Sequence, residues 1–276
     1  MKSIILISLT FFVSITCQSA FINVYDTPTR DNGAWYLLSQ HYLPPSPHHL
    51  QHAEIFGRDI TGYNYLILKA IDLVQSTAMD GGRYFIGKDA NPPESPVGHI
   101  LNLFDKPLLS PPRQSSYCTG ATYAAFIEAL NSIITPEERL MLSQDRFEAF
   151  RMQELDGGRR EDHVKFWGRW NADLAGHSYA LIQYTDMGKV IAPNSARPGD
   201  FVNIVWKNNR GHAVIFLGWE VDEKGEKNLI YWSSQPSTNG FGDSQTHLSN
   251  TKKVTFVRLI NPRRMFSFDV DAPVNL

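Results

Sequence analysis

Cys118 is the residue of this chain best suited to nucleophilic chemistry. The sequence contains two cysteines, and the other one, Cys17, lies in the N-terminal stretch 1–20. If that stretch is removed, Cys118 has no disulfide partner within the chain. It comes just before the apolar run 121–130, which predicts a helix. A thiol at a helix N-terminus is favoured as the thiolate, because the helix dipole places positive charge there. A buried structural cysteine is the alternative interpretation.

A nucleophilic cysteine needs a base within hydrogen-bond reach, and His212 is the best candidate among nine histidines. His212 opens the apolar run 212–218 directly after a turn, and that run predicts a strand. Its ring can therefore project from the edge of a sheet towards a neighbouring helix terminus. A structural strand histidine is the alternative interpretation.

The other histidines favour simpler interpretations. His48, His49 and His52 lie close together beside prolines, without the glutamate of a His-Glu-x-x-His zinc motif. We predict a solvated loop there, with metal binding as the minority hypothesis and no metal or cofactor in the catalytic chemistry. His163 and His177 are predicted to be surface or packing residues.

The N-terminus has the pattern of a secretory signal peptide. Residues 1–20 begin with Lys2, continue through an apolar run at 4–15 and end in small residues. The run is too short to span a bilayer. The pattern predicts a secreted or periplasmic protein. Lipid anchoring through Cys17 is disfavoured, because Ser14 stands where a leucine or valine usually precedes the modified cysteine.

The bulk composition is that of a globular enzyme. Hydrophobic residues make up 42% of the chain and charged residues 20%, which argues against extensive disorder. The formal net charge of -2 offers no electrostatic surface for nucleic acid or an anionic membrane. No second apolar stretch approaches the roughly 20 residues of a membrane span. The oligomeric state is left open.

The elements that must position Cys118 and His212 predict an α+β domain. The apolar spacing at 64–76 predicts a helix, and the proline-rich stretch 91–113 predicts a loop. Residues 133–196 read as mainly helical, with Thr135 as a helix cap. Four β-branched or aromatic runs predict antiparallel strands at 200–206, 212–220, 228–234 and 252–260. The predicted organisation is a signal peptide at 1–20, an N-terminal extension at 21–60, a catalytic domain at 61–262 with a helical insertion at about 132–196, and a tail at 263–276.

Four segments, taken in order, resemble the NlpC-like papain-fold cysteine peptidases and amidases, a superfamily of cell-wall hydrolases. They are Arg-Tyr-Phe-Ile-Gly at 83–87, Tyr-Cys-Thr-Gly at 117–120, Arg-Pro-Gly-Asp-Phe-Val at 197–202 and Gly-His-Ala-Val-Ile-Phe-Leu-Gly at 211–218. The resemblance implies a papain-like fold in which the cysteine helix packs on an antiparallel sheet. It also implies that Cys118 is the nucleophile, His212 the base, and Tyr84 a residue lining the site.

The chain departs from the family pattern at several positions. Tyr117 and Thr119 replace the usual aspartate and serine beside the nucleophile. The family's third catalytic residue comes from the strand after the histidine strand. At that place Gln235 is the first candidate, because its amide oxygen can orient an imidazole. Ser233, on the same strand face, is the second, and Asn239 is the third. For all three residues, the alternative to a catalytic role is that they form a polar strand end entering a turn.

The resemblance implies a Cys-His-polar triad that hydrolyses an amide bond in peptidoglycan stem peptides, typically between D-glutamate and a diamino acid. Tyr84, Tyr117 and Ser233 are then expected to contact the substrate. Two other hypotheses stay open. One is a papain-fold acyltransferase or an amidase acting on a different substrate, and the other is a catalytically inactive module that binds wall fragments. A zinc enzyme built on the His48 cluster is a distant further alternative.

Overall fold

The computed structural model of the 276-residue chain describes residues 38, 44, 46–87, 90, 95–111, 113–152, 166–167 and 176–273. The predicted signal peptide at 1–20, Cys17 and His163 lie outside these residues, so export of the chain stays a prediction. None of the helices in the described ranges has the length and apolar character needed to cross a membrane.

An antiparallel sheet of six strands forms the centre of the described fold, in the order β3-β8-β4-β5-β6-β7. A separate hairpin pairs β1 with β2. The strands are β1 (Leu101–Leu103), β2 (Lys106–Leu109), β3 (Gly188–Ile191), β4 (Phe201–Trp206), β5 (Gly211–Val221), β6 (Lys227–Gln235), β7 (Gly240–His247) and β8 (Thr251–Leu259).

The helices precede the main sheet in sequence. They are α1 (His52–Ile55), α2 (Tyr63–Ser76), α3 (Cys118–Ile133), α4 (Pro136–Arg139), α5 (Gln144–Ala149) and α6 (Gly176–Ser178), the last running into a π-helix at Tyr179–Tyr184. Helices α2, α3 and α6 contact the main sheet. Helix α3 contacts α2 on one side and β5 and β6 on the other. The molecule is therefore an α+β protein, as the sequence predicts.

Both faces of the central strands β4, β5 and β6 are buried, which explains why these three strands are almost continuously apolar. One face packs against α2 and α3 through residues such as Phe201, Ile215 and Trp232. The opposite face forms a second cluster that includes Val214 and Tyr231. Neighbouring strand residues point to opposite faces, so one strand contributes to both clusters.

The start of α3 is fixed by a close approach of the backbone at Gly120. A Cβ atom at Gly120 would lie 2.0 Å from the carbonyl oxygen of Pro96. The same carbonyl accepts a hydrogen bond of 2.9 Å from the Tyr117 backbone N–H. Glycine is thus required in the Tyr-Cys-Thr-Gly segment for packing, and the loop at Pro96 holds Cys118 in place at the first residue of α3.

Most of the predicted elements are present, with small shifts at their ends. The helix predicted at 64–76 is α2, and the four predicted strands are β4, β5, β6 and β8. The predicted cap is confirmed, because Thr135 and Glu138 form a capping box at the start of α4.

Three regions differ from the sequence-based expectation. The predicted helical insertion includes β3, which pairs with β8 in the main sheet. The predicted proline-rich loop contains the β1-β2 hairpin. The predicted tail is packed on the domain near its start, because Phe268 is buried against Phe150 and Tyr184.

Candidate functional site

Cys118 lies at the N-terminus of α3, and its side chain is only 1% exposed. Its Sγ atom is 3.9 Å from Thr119 Oγ1. Burial raises the pKa of the thiol, while hydrogen bonds from the Ala213 backbone N–H and from Thr119 and Tyr117 oppose that rise. The thiol is therefore the favoured resting form, in contrast to the thiolate that the helix position alone predicts.

His212 immediately precedes, on β5, the residue whose backbone faces Cys118. Ala213, the next residue of that strand, directs its N–H at the Cys118 sulfur. The His212 ring stacks on Trp206 at a centroid distance of 6.2 Å and meets the edge of Tyr231 at 5.5 Å. The two aromatic rings restrict the imidazole to a narrow range of orientations on the face of the sheet that carries Tyr231.

The protonation state of His212 is set by its surroundings. Burial lowers its pKa to about 4, although a hydrogen bond with Gln235 acts in the opposite direction. The imidazole is consequently neutral near pH 7 and can accept a proton. Its Nε2 atom is buried and has no partner within strict hydrogen-bond geometry.

Gln235 supplies the group that faces this nitrogen. The register of β5 and β6 pairs Ile215 with Trp232, and continuing it by three residues places Gln235 opposite His212. Gln235 Nε2 donates to Thr238 Oγ1 at 2.6 Å and to the Gly242 carbonyl at 2.9 Å. These two acceptors fix the amide orientation and leave Oε1 buried without a strict partner. The Gln235 oxygen and His212 Nε2 are a complementary acceptor and donor.

The other two candidates for the third position are placed differently. The Ser233 hydroxyl donates to the Ala213 carbonyl at 2.7 Å and so joins β6 to β5. Because this side chain is fully buried and engaged with the backbone, its geometry is structural. Asn239 is exposed in a left-handed turn with a φ of 49°. Of the three, Gln235 is the residue that reaches His212.

Two of the predicted contact residues, Tyr84 and Tyr117, lie beside the sulfur. The backbone around Tyr84 pairs with Ser116, and the two tyrosine rings are 5.7 Å apart. Burial and the nearby Cys118 raise the pKa of Tyr84, so its hydroxyl remains a donor. Sequence reasoning missed Tyr231, whose pKa is raised by burial and also by Cys118. The two-residue spacing of Tyr231, Ser233 and Gln235 on β6 was the available signal.

The Pro-Gly-Asp segment has a structural role at the start of β4. The fully buried Asp200 carboxylate accepts hydrogen bonds from the Arg197 N–H at 2.8 Å and from Asn64 Nδ2 at 2.9 Å. It also receives Arg258 Nε at 2.8 Å and Nη2 at 2.7 Å. Gly199 adopts a φ of 89° with its backbone against Asn64. The motif thus ties β4 to α2 and β8.

The histidine cluster is not the solvated loop that the sequence predicts. His49 and His52 are buried, because their ring nitrogens bind the carboxylates of Asp243 and Asp72, which are remote in sequence. The two rings stack at 4.1 Å with an angle of 17° between their planes. Imidazole lone pairs lie in the ring plane, so those of parallel rings do not converge on one ion. The geometry suits two N–H groups donating to one carboxylate.

A polar cleft of about 850 Å³ lies near the Tyr84 and Ser116 backbones. Its lining includes Arg83, which precedes Tyr84, and Ser115, which precedes Ser116. Arg113 and His99 also contribute to its wall. The cleft therefore borders the segment that leads into α3.

In comparisons with family models, with curated proteins and with solved structures, no match to this chain was found. Inference about function therefore rests on the site. A thiol, a neutral imidazole and an amide oxygen are the kinds of group that can serve as a nucleophile, its base and a group that orients the base.

Proposed function

We propose that the chain is a cysteine hydrolase of papain-like fold that cleaves an amide bond with Cys118, His212 and Gln235. The observation that carries this proposal is the pairing of His212 with Gln235. Two buried polar atoms without strict partners face each other there, while the next residue, Ala213, directs its N–H at the Cys118 sulfur.

The proposed reaction starts from a neutral thiol and a neutral imidazole. As the Cys118 sulfur attacks the amide carbonyl, His212 takes the thiol proton and a carbon–sulfur bond forms. Gln235 Oε1 accepts a hydrogen bond from the resulting imidazolium and stabilises it. His212 then gives the proton to the leaving amine as the carbon–nitrogen bond breaks. Water activated by His212 finally hydrolyses the thioester, which releases the acid and restores the thiol.

The oxyanion formed during attack has two nearby donors. As the first residue of α3, Cys118 has a backbone N–H without an intrahelical acceptor. The Tyr84 hydroxyl, kept protonated by its raised pKa, is the second donor. Two preorganised donors of this kind suit a tetrahedral intermediate.

The proposed substrate is a peptidoglycan stem peptide in an extracytoplasmic compartment. The support is the resemblance of four ordered segments to NlpC-like hydrolases and the signal-peptide pattern. The cleft beside Tyr84 adds two cationic side chains, Arg83 and Arg113, which suit a peptide bearing carboxylates. An acyltransferase with the same nucleophile would pass the acyl group to an amine instead of water.

The second candidate function is a catalytically inactive papain-fold module that binds wall fragments. The observation in its favour is the state of Cys118, whose side chain is 1% exposed and whose pKa is raised by burial. An inert packed thiol has both properties.

Mass spectrometry of digested peptidoglycan fragments tests these alternatives. The mature protein is compared with Cys118→Ala and with Ser195→Ala, a control at an exposed serine on the β3 side of the sheet. Amide-cleavage products that disappear in Cys118→Ala and persist in Ser195→Ala would support the hydrolase. Products joined to an added amine would indicate acyl transfer. Retention of uncleaved fragments would favour the binding module. If the fragments were neither cleaved nor retained, this result would contradict a wall substrate.

A further inference from the structure

We infer that a buried histidine–carboxylate lock, made of His49, His52, Asp72 and Asp243, positions Gln235 and through it His212. The lock joins the segment 46–55 to α2 and β7. The Gln235 amide is held by Thr238, which this segment contacts, and by Gly242, which adjoins the lock. Its catalytic consequence rests on the proposed function, but its effect on the His212 imidazole does not.

His52 is the centre of the lock. Its Nδ1 lies 2.7 Å from Asp72 Oδ1 and its Nε2 lies 2.9 Å from Asp243 Oδ1. Both ring nitrogens therefore face carboxylate oxygens, and the doubly protonated imidazolium satisfies both. Burial disfavours that charge, yet Asp243 and Asp72 together raise the pKa of His52 to about 9.

His49 completes the coordination of Asp243. Its Nδ1 accepts the Gln51 backbone N–H at 3.1 Å, so in the neutral ring the proton is on Nε2. That Nε2 donates to Asp243 Oδ2 at 2.9 Å. Each oxygen of the Asp243 carboxylate thus accepts one histidine N–H.

The backbone of the segment is fastened at two further places. Asp72 on α2 accepts the backbone N–H groups of His52 at 2.9 Å and Ala53 at 3.1 Å. On β7, the Asp243 backbone N–H donates to the Pro47 carbonyl at 2.9 Å. These bonds hold the segment against both elements.

Two contacts connect the lock to Gln235. His48 Nε2 donates to the Thr238 carbonyl at 2.9 Å, and Thr238 Oγ1 accepts one Gln235 amide proton at 2.6 Å. The other amide proton goes to the carbonyl of Gly242, the residue just before Asp243. Both acceptors that orient the Gln235 amide are therefore close to the lock. Thr238 is contacted by the segment 46–55, and Gly242 adjoins Asp243.

Four elements face His52, and two of them contribute carboxylates. Asp72 faces it from α2 and Asp243 from β7, while His49 stacks on it from its own segment. Trp232 of β6 presents an apolar ring edge at 6.5 Å. Within the described residues, His52 forms ion pairs with Asp72 and Asp243, and the lock holds while the ring is charged.

The test combines histidine NMR with Cys118 chemistry in the full mature protein. Asp243→Asn removes the lock charge, and Thr238→Val removes the hydroxyl that holds Gln235 without touching the lock. Glu54→Gln is the matched control, because Glu54 is an exposed acid of α1 outside the lock. Each change is made in the wild-type and in the Gln235→Ala background, and folding is checked by circular dichroism.

We expect Asp243→Asn and Thr238→Val to shift the His212 Cε1–H resonance and to reduce amide hydrolysis about tenfold, through kcat more than KM. In the Gln235→Ala background, the same two substitutions should cause almost no further change in the resonance or in hydrolysis. Glu54→Gln should have no effect in either background. The inference would be overturned if Asp243→Asn folded and left the His212 resonance unchanged. It would also be overturned if Asp243→Asn had the same effect in the Gln235→Ala background as in the wild-type background. If Asp243→Asn does not fold, Asp72→Asn, which removes the charge of the other carboxylate bound to His52, takes its place in the same comparison. If the wild type hydrolyses nothing, the NMR coupling still tests the lock, and only the proposed function fails.

Discussion

Gln235 contacts the His212 ring where β5 and β6 continue past their last paired residues, Ile215 and Trp232. The Gln235 amide cannot rotate without losing its bonds to Thr238 and Gly242, so its oxygen stays directed at the His212 ring. An acceptor at Nε2 favours the tautomer protonated on that nitrogen. His212 Nδ1 then carries the lone pair that a base needs.

Replacing Gln235 by alanine is expected to lower kcat on the amide substrate on the order of 10²-fold, at the low end of what a positioned general base contributes. The imidazole loses the acceptor that fixes its tautomer and stabilises its charge, whereas Cys118 is untouched. Steady-state kinetics of the purified variant check this outcome. Ser233→Ala is the control. Ser233 lies on the same face of β6 as Gln235, and the substitution removes its hydrogen bond to the Ala213 carbonyl.

Ser233→Ala should cost about 1 kcal/mol of stability and leave kcat within a few-fold of wild type. If Ser233→Ala lost activity and Gln235→Ala kept it, the assignment of the third residue would be reversed.

The reactivity of Cys118 should report a buried neutral thiol. Because burial raises its pKa, the rate of alkylation by iodoacetamide in the native protein should rise with a midpoint above the ordinary value of 9.0. The same thiol in denaturant should react with the ordinary midpoint and faster near pH 7. Rates measured between about pH 6 and 10.5 separate the two states. A native midpoint below 7 would instead show a preformed thiolate–imidazolium pair.

Asp200 should matter for stability and little for chemistry. Its buried carboxylate pairs with Arg258 and accepts bonds from Asn64 and the Arg197 N–H. Asp200→Asn leaves Arg258 without its charged partner and is expected to cost about 3–5 kcal/mol in urea unfolding. The folded fraction should retain wild-type kcat.

Arg263→Gln is the comparison for Asp200→Asn, because it breaks an exposed ion pair with Glu138. Its unfolding midpoint should stay close to wild type. A loss of kcat in folded Asp200→Asn protein would give the Pro-Gly-Asp segment a part in catalysis.

The parts of the fold that local sequence determines were predictable. β4, β5 and β6 are runs of β-branched and aromatic residues, and α2 has apolar residues at helical spacing. The positions of Cys118 at a helix start and His212 near a strand start follow from the same local patterns. Gln235 could be predicted as a candidate because strand residues alternate between two faces.

The remaining parts depend on contacts between distant residues. β7 contains glycines and polar residues with little strand preference, and it is a strand because it pairs along the whole of β6. The partners of His52 lie 20 and 191 residues away in sequence, so the neighbouring prolines suggested a solvated loop. Burial of Cys118 likewise follows from tertiary packing, and it reverses the pKa shift that the helix dipole alone favours.

His177 should make the protein sensitive to acid. Its ring is buried between Trp167 and Phe201, and neither nitrogen has a hydrogen-bond partner. Burial lowers its pKa from 6.5 to about 3. Below pH 6.5 the unfolded chain binds a proton at this residue that the native chain does not, so stability falls as the pH decreases towards 3.

His177→Leu removes both the unpaired nitrogens and this titration. We expect it to stabilise the protein by about 1 kcal/mol at pH 7. The advantage should grow by up to about 1.4 kcal/mol for each pH unit below 6, although His99 and His212, whose pKa values burial also lowers, still titrate. Urea unfolding at several pH values between 7 and about 4.5 measures both effects. An equal pH dependence in His177→Leu and wild type would mean that the native ring is protonated or paired.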